Sequence, residues 1–196
     1  IPTSYVVGKL YGIDLREHGS GNLGGTNAYR VMGLRAGIPV VLVDATKGFV
    51  PAYFFPSWDG AAAGDLALLY GLAAIAGHVW SIFVGFRGGK GVATGAGVLV
   101  ALAPTAALIS FLVWIGVVAI TGYVSAASLS AATLVPLTAW LTDEAISTIL
   151  FCSAIAMFVW WTHRDNIRRL MQGEENRFGR SQGASSSEKG EGERAG

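Results

Sequence analysis

The sequence has one cysteine, Cys152, and three histidines in 196 residues. A single thiol inside the apolar run 146–161 can build neither a disulfide framework nor a thiolate metal site. The histidines stand apart from any clustered set of carboxylate or thiolate partners, so neither a metal nor a cofactor is expected. Charge is scarce too: Asp, Glu, Lys and Arg make up 14% of the chain against 52% hydrophobic residues, with a mean hydropathy of +0.49. Ordinary soluble domains carry about 25% charged residues. This composition excludes one and fits an integral membrane protein. No 20–50-residue repeat and no inverted pair of matching halves is apparent.

Apolar runs occupy about residues 37–56, 62–83, 92–103, 105–121, 124–142 and 145–162. Most approach the roughly 20 residues needed to cross the hydrocarbon layer, the run before Pro104 being short. Pro104 fits a tight helix-to-helix turn, since proline is tolerated where a helix begins. The opening Ile-Pro-Thr-Ser-Tyr-Val-Val-Gly-Lys reads as the last turns of a further helix. The expected fold is an all-α integral membrane protein, a seven-span helical bundle with its first span truncated and with short interfacial loops. Residues 1–178 form the membrane domain, and residues 179–196, lacking apolar anchors, form a disordered polar tail.

Alternate threading puts Lys9, Arg16, Arg30, Arg35, Arg87, Lys90, Arg164, Arg168 and Arg169 on one side. The opposite loops hold Trp58, Asp59, Asp143 and Glu144 with no lysine or arginine. The cation-rich side is therefore expected in the cytosol.

The phosphate-friendly residues gather on that side in three cassettes. The first is Ser20-Gly-Asn-Leu-Gly-Gly-Thr-Asn-Ala-Tyr-Arg30. Its glycines let backbone N–H groups approach an anion; Ser20, Asn22, Thr26 and Asn27 add donors, and Arg30 adds a planar fork matched to phosphate. The second runs from Gly77-His78 to Phe86-Arg-Gly-Gly-Lys-Gly91. It lacks the early glycine and the hydroxyl after lysine of a Walker A loop, which argues against nucleotide hydrolysis. It leaves Gly88, Gly89 and Lys90 as a turn of free N–H groups beside a cation. In the third, His163 and Asn166 stand three residues apart on one helix face, followed by Arg168, Arg169 and Glu174, the last expected to pair with an arginine as structural support. Each cassette also has a plainer reading: a capped interfacial loop, a snorkelling lysine, or arginines on lipid headgroups. Within the spans, Asp44 and Lys47 have the spacing of a structural ion pair, and Ser128, like Ser125, faces either a backbone carbonyl one turn earlier or the shared site.

These cassettes, with Asp44-Ala-Thr-Lys-Gly48 and Gly-Gly-Lys-Gly-Val-Ala-Thr94, closely resemble the bacterial glycerol-3-phosphate acyltransferases of the PlsY type, over nearly the whole chain to about Phe178. The resemblance implies transfer of an acyl group from acyl phosphate to the sn-1 hydroxyl of glycerol 3-phosphate, the first step of bacterial phospholipid synthesis, in the cytoplasmic (inner) membrane with a cytosol-facing site. The products are lysophosphatidic acid and phosphate. Ser20, Arg30, Lys90, His163 and Asn166 are the catalytic candidates; Asn22, Thr26, Asn27, His78, Gly88, Gly89 and Ser128 are the candidates for binding substrate phosphate. His78 and His163 are candidate bases, but an acyl phosphate is already activated, so neither a covalent intermediate nor a protein base is demanded. The His-x4-Asp signature of acyl-CoA-dependent acyltransferases is absent, Ile82 and Ile167 standing at the aspartate positions. The partners implied are the two substrates, the bilayer and a soluble enzyme that makes acyl phosphate; no nucleic acid is expected. The rival reading is a membrane transporter or channel for an organic phosphate, whose site belongs near the midplane.

Overall fold

The computed structural model describes residues 1–59 and 63–179. They form nine helices and no strand: α1 (Thr3–Leu10), α2 (Gly25–Met32), α3 (Leu34–Trp58), α4 (Ala63–Val79), α5 (Val92–Leu102), α6 (Pro104–Thr121), α7 (Val124–Leu141), α8 (Ile146–Thr162) and α9 (Arg164–Gln172), with a 3-10 turn at Ile82–Val84.

The packing is inside out by the standards of a soluble protein. Leu42, Leu108, Leu112, Ile120 and Leu150 lie on the outside, while Ala28, Ala36, Ala103, Ala106, Ala127, Ala139, Ser110 and Thr94 fill the interior. Lipid is as apolar as leucine, so burial of large side chains gains little there; small residues that let helix backbones approach are what associate the helices. The crossing of α3 and α5 shows how close that approach is. A Cβ at Gly48 would run into the Thr94 carbonyl, and one at Gly97 into the Ala45 carbonyl. Prolines 39, 51 and 56 lie inside α3 and Pro136 inside α7, a tolerance typical of membrane helices.

Helix boundaries follow the punctuation of the sequence. Pro104 is the first residue of α6, as expected from its fixed φ. The left-handed glycines Gly122 and Gly173 end α6 and α9. α9 bends 55° away from α8, so its amphipathic turns leave the bundle.

The seven expected spans are not confirmed. Among the described residues four helices have the length and composition of a span, α3, α6, α7 and the segment Leu66–Val84; α8 with α9 makes a fifth if the bent pair is taken as one. α5 has 11 residues, about 16 Å at 1.5 Å per residue, half of a hydrocarbon layer. α1 has eight. Of the expected tail only Gly179 is described; residues 180–196 lie outside the described part.

Candidate active site

The first cassette is a loop stapled to α2 by one amide. Asn27 is buried; its Oδ1 accepts the Ser20 N–H at 2.8 Å, while its Nδ2 donates to the carbonyls of Leu15 at 3.2 Å and His18 at 3.0 Å. That staple lets Leu15 and Leu23 pack with Ala28, Val40 and Val84. Asn27 thus spends both amide N–H groups on the loop, while its Oδ1 also accepts from Arg30 Nη1 at 3.5 Å; Ser20 stays exposed at the loop's edge and Asn22 half-buried beside Gly24. Thr26 and Arg30, one turn apart on α2, line a cleft with Tyr29, Gly33, Arg177 and Phe178. Tyr29 stacks on Phe178 with centroids 4.6 Å apart, and the Phe178 N–H donates to the Gly122 carbonyl at 2.7 Å. Burial pushes the Arg30 guanidinium below the ordinary arginine pKa, Glu175 opposing the shift and Arg169 adding to it.

The second cassette folds back onto the end of α4. The Phe86 N–H donates to Ser81 O and the Gly88 N–H to Val79 O, both at 2.9 Å. The loop presses so closely that a Cβ at Gly88 would meet the His78 carbonyl, and one at Gly89 would meet the His78 imidazole and Leu23 O. Only glycine fits at either place. Lys90 then crosses to the third cassette, donating to Asn166 Oδ1, while its carbonyl accepts the Thr162 hydroxyl at 3.3 Å. Burial lowers the Lys90 pKa to about 8, with Arg169 adding to the shift and Glu175 opposing it.

Beneath that loop lies the α3 pair. Asp44 is 1% exposed, and its Oδ1 accepts from Lys47 Nζ at 2.6 Å and from the Thr3 hydroxyl at 2.9 Å. His78 Nδ1 stands 3.8 Å from the same oxygen.

The third cassette surrounds the α8–α9 bend. His163 is buried, with Nδ1 2.8 Å from the Val159 carbonyl. A carbonyl only accepts, so this contact assigns the proton to Nδ1 and leaves the lone pair on Nε2. At the far end of α9 the Gly173 N–H donates to Leu170 O at 3.2 Å and the Glu174 N–H to Arg169 O at 2.8 Å, the paired bonds of a Schellman turn. The chain reverses there and brings Glu175 over the helix. Its Oε1 accepts from Asn166 Nδ2 at 2.7 Å and the Ser125 hydroxyl at 3.0 Å, and its Oε2 from Arg169 Nε at 2.8 Å.

Two sequence expectations shift by a few residues. The carboxylate that pairs with an arginine is Glu175, not Glu174, which is exposed because the Schellman turn commits it by its backbone. The hydroxyl of α7 that reaches this cluster is Ser125. Ser128 instead donates to Val124 O at 2.9 Å and accepts Trp114 Nε1 at 3.2 Å, the back-bonding expected of a serine in an apolar helix.

Arg30, Lys90, His163 and Asn166 therefore converge on one end of the bundle. Ser20, Asn22 and Asn27 belong to the loop beside them, and Asp44, Lys47 and His78 form a layer below. Sequence reasoning missed Glu175, Thr162 and Arg177, and left Ser125 open between a backbone carbonyl and the shared site. Gly173 was the available signal for the first, because a glycine ending a helix announces a reversal that returns the next residues to that helix. No group of three His, Cys, Asp or Glu able to hold a metal occurs among the described residues.

A sequence profile described as glycerol-3-phosphate acyltransferase matches residues 1–173. Proteins named glycerol-3-phosphate acyltransferase are similar to the chain throughout. That of Chlorobaculum tepidum is 40% identical over 92% of each chain. That of Trichlorobacter lovleyi is 43% identical over 91% of each. That of Aquifex aeolicus is 41% identical over 88% of this chain and 90% of its own. The fold superposes on crystal structures of PlsY (YgiH), an integral membrane glycerol 3-phosphate acyltransferase. The TM-score is 0.86 for its glycerol 3-phosphate form at 40% identity, and 0.83 for its lysophosphatidic acid form at 39%, each covering 91% of this chain and 89% of that one. With the first two cassettes and the third as far as Gly173 inside the matched span, and the helical frame shared, the chain belongs to the glycerol-3-phosphate acyltransferase family.

Proposed function

We propose that the protein transfers an acyl group from acyl phosphate to the sn-1 hydroxyl of glycerol 3-phosphate, releasing lysophosphatidic acid and inorganic phosphate. The reaction runs at the cytosolic face of the bacterial inner membrane. The observation that carries this reading is the gathering of Arg30, Lys90, Asn166 and Arg169 around one carboxylate at the cation-rich end of an apolar bundle. Two phosphate-bearing substrates need two sets of donors beside lipid, and family membership supports acyl transfer to glycerol 3-phosphate.

Thr26 and Arg30 hold one phosphate in the cleft of α2, with Ser20 at the edge of the loop beside it. Gly88, Gly89 and Lys90, with His163 and Asn166, orient the other substrate. In the transfer the glycerol hydroxyl oxygen attacks the acyl carbonyl carbon, the carbon–oxygen bond to phosphate breaks, and its electron pair leaves on phosphate. The hydroxyl proton passes to a phosphate oxygen of the donor. Arg30 neutralises the charge that builds on the departing phosphate, while Lys90 holds the phosphate of glycerol 3-phosphate. His163 serves this step by aiming its free Nε2 at substrate, held there through Nδ1–H and Val159. Asn27 serves by shaping the first loop, and Ser128 by joining α6 to α7. A soluble enzyme that makes acyl phosphate is the expected supplier of the donor.

A carrier for organic phosphates would place its polar groups near the midplane and open to both sides; the cationic groups of this site lie at one end. The test is purified protein in detergent or vesicles given acyl phosphate with and without glycerol 3-phosphate. Phosphate release that depends on the acceptor, with sn-1 lysophosphatidic acid as product, is the expected result. Glycerol 3-phosphate uptake into sealed vesicles without acyl transfer would sink the proposal.

A further inference from the structure

We infer that Asp44 and His78, neither of which need touch substrate, are positioning residues that hold the Gly88–Gly89–Lys90 turn at the depth where Lys90 meets a substrate phosphate. This rests on the role given to Lys90 under Proposed function.

The argument starts from a cost. A carboxylate in a span is expensive, and such residues are kept where they are partnered and mark function. Lys47, one turn along α3, already neutralises Asp44 at 2.6 Å and would suffice for a local ion pair. The site is nevertheless larger. The Thr3 hydroxyl comes from α1 to the same oxygen, and the His78 ring, at the last turn of α4, faces it at 3.8 Å. That separation is too long for a hydrogen bond but within reach of a buried charge's field.

The other side of the imidazole does something different. His78 Nε2 and Cε1 occupy the volume where a Gly89 side chain would sit, and the His78 backbone carbonyl does the same for Gly88. The Gly88 N–H is bonded to the very next carbonyl, that of Val79, at 2.9 Å. Leu23 O, from the first cassette, meets the same Gly89 position. Apart from the Thr162 hydroxyl on the Lys90 carbonyl and the contact of Lys90 with Asn166, the turn rests on the last helical residues of α4 and on Leu23 O of the first cassette, and the imidazole fills the space over Gly89. Lys90 follows directly, and its reach to Asn166 depends on where the turn sits. The chain of contacts runs from Asp44 to His78, to the glycine turn, to Lys90. A packed interior transmits a displacement because it has little free volume to absorb it.

Three variants and two readouts test this. Asp44→Asn keeps shape and removes the charge that orients His78. His78→Ala removes that filling ring, and His78→Gln restores part of its bulk and polarity. The expected result for Asp44→Asn and His78→Ala is a KM for glycerol 3-phosphate raised about tenfold, the equivalent of about 1.4 kcal/mol, with kcat within about threefold; His78→Gln recovers part of the loss. The second readout needs no acyl transfer: the pH dependence of Lys90 acetylation by acetic anhydride, followed by mass spectrometry with exposed Lys9 as internal reference. A displaced turn exposes Lys90 to water, so its labelling midpoint should move upward from about 8 toward the ordinary lysine value. If Asp44→Asn leaves Lys47 uncompensated and the fold is lost, the double variant Asp44→Asn with Lys47→Met removes both charges and supplies a folded protein. Wild-type KM and wild-type Lys90 labelling in the folded double variant and in His78→Ala would overturn the inference and leave Asp44–Lys47 a plain ion pair. If the wild-type protein transfers no acyl group, the function assigned above fails, while the Lys90 labelling still decides the positioning role.

Discussion

Two buried carboxylates organise this protein, and they are built from different distances along the chain. Asp44 is gripped by Lys47, three residues away on its own helix, and by Thr3. Glu175 is gripped by Ser125, fifty residues upstream, and by Asn166 and Arg169 from α9. Asp44 lies within a span and Glu175 in a returning loop at the polar end. Each satisfies the rule that a buried charge must be paired and hydrogen-bonded. The first does so mainly through helix periodicity, the second only after the whole bundle has closed. The difference teaches that the deep pair is largely a property of one helix, whereas the interfacial cluster is a property of the fold.

If the interfacial cluster is where phosphate binds, its contact residues should give the largest losses. Arg30→Ala is expected to lower kcat/KM by roughly 100- to 1000-fold, comparable with removing an oxyanion-hole donor. Arg30→Lys should be nearly as poor, since a point charge lacks the two-pronged geometry. Steady-state kinetics on both variants check this, and near-normal turnover in the lysine variant would demote Arg30 to a structural role.

His163 sharpens the comparison next. The His163→Asn amide can keep the Val159 bond made by Nδ1, and the His163→Gln amide can reach the place of Nε2. Both should retain much more activity than His163→Ala if the imidazole only positions substrate. A general base is worth about 10²–10⁴-fold, so amide variants as dead as alanine, in protein that still folds, would make His163 the base.

Glu175→Gln should cost about 2–3 kcal/mol of stability in detergent. That is less than the loss on breaking a fully buried pair, because the Arg169 side chain keeps 30% exposure. Glu174→Gln should stay within about 0.5 kcal/mol. Equal melting temperatures for the two variants would break the contrast between an assembled cluster and its exposed neighbour.

The Lys90 ammonium gives a pH signature. Its pKa in the free protein is lowered to about 8, so the charged form that attracts phosphate is present below that pH and is lost above it. The kcat/KM profile should therefore descend above about pH 8, and Lys90→Arg, whose guanidinium stays charged, should flatten the limb. A descending limb unchanged in the arginine variant would assign it to another group. Smallest of all, Ser128→Ala should leave activity within about threefold, the lost Trp114 bond costing about 1 kcal/mol of stability; a loss like that of Arg30→Ala would return Ser128 to the substrate.

The helical class, the polar end and the Asp44–Lys47 pair were legible in the sequence because they rest on local rules: apolar runs, one-sided cations, and an i,i+3 spacing. The helix starting at Pro104 and the α9 terminus at Gly173 follow from proline and glycine chemistry in the same way. Asn27 counts as a donor by residue type and neighbours, and only the folded loop shows that its amide N–H groups reach the carbonyls of Leu15 and His18. Glu174 and Glu175 are indistinguishable by composition, and a single turn geometry separates them. Ser125 and Ser128 share a helix face by spacing, and only the approach of Trp114 on α6 to one of them decides which stays available. The count of spans is the part that hydropathy alone leaves unconfirmed, because it counts apolar residues and α5, though apolar, has only 11 of them.

That short helix sets a level for the chemistry. α5 and α6 meet at Ala103, with 11 and 18 residues respectively, or about 16 and 27 Å of helix. By length, α5 is about 10 Å shorter than the α6 it meets. Under the function proposed above, a water-soluble phosphate at the turn that opens so short a helix would come level with the head of a lipid-anchored donor. The two reactants can then meet without the fatty chain being lifted out of its solvent, so the depth of one loop replaces the work of extraction.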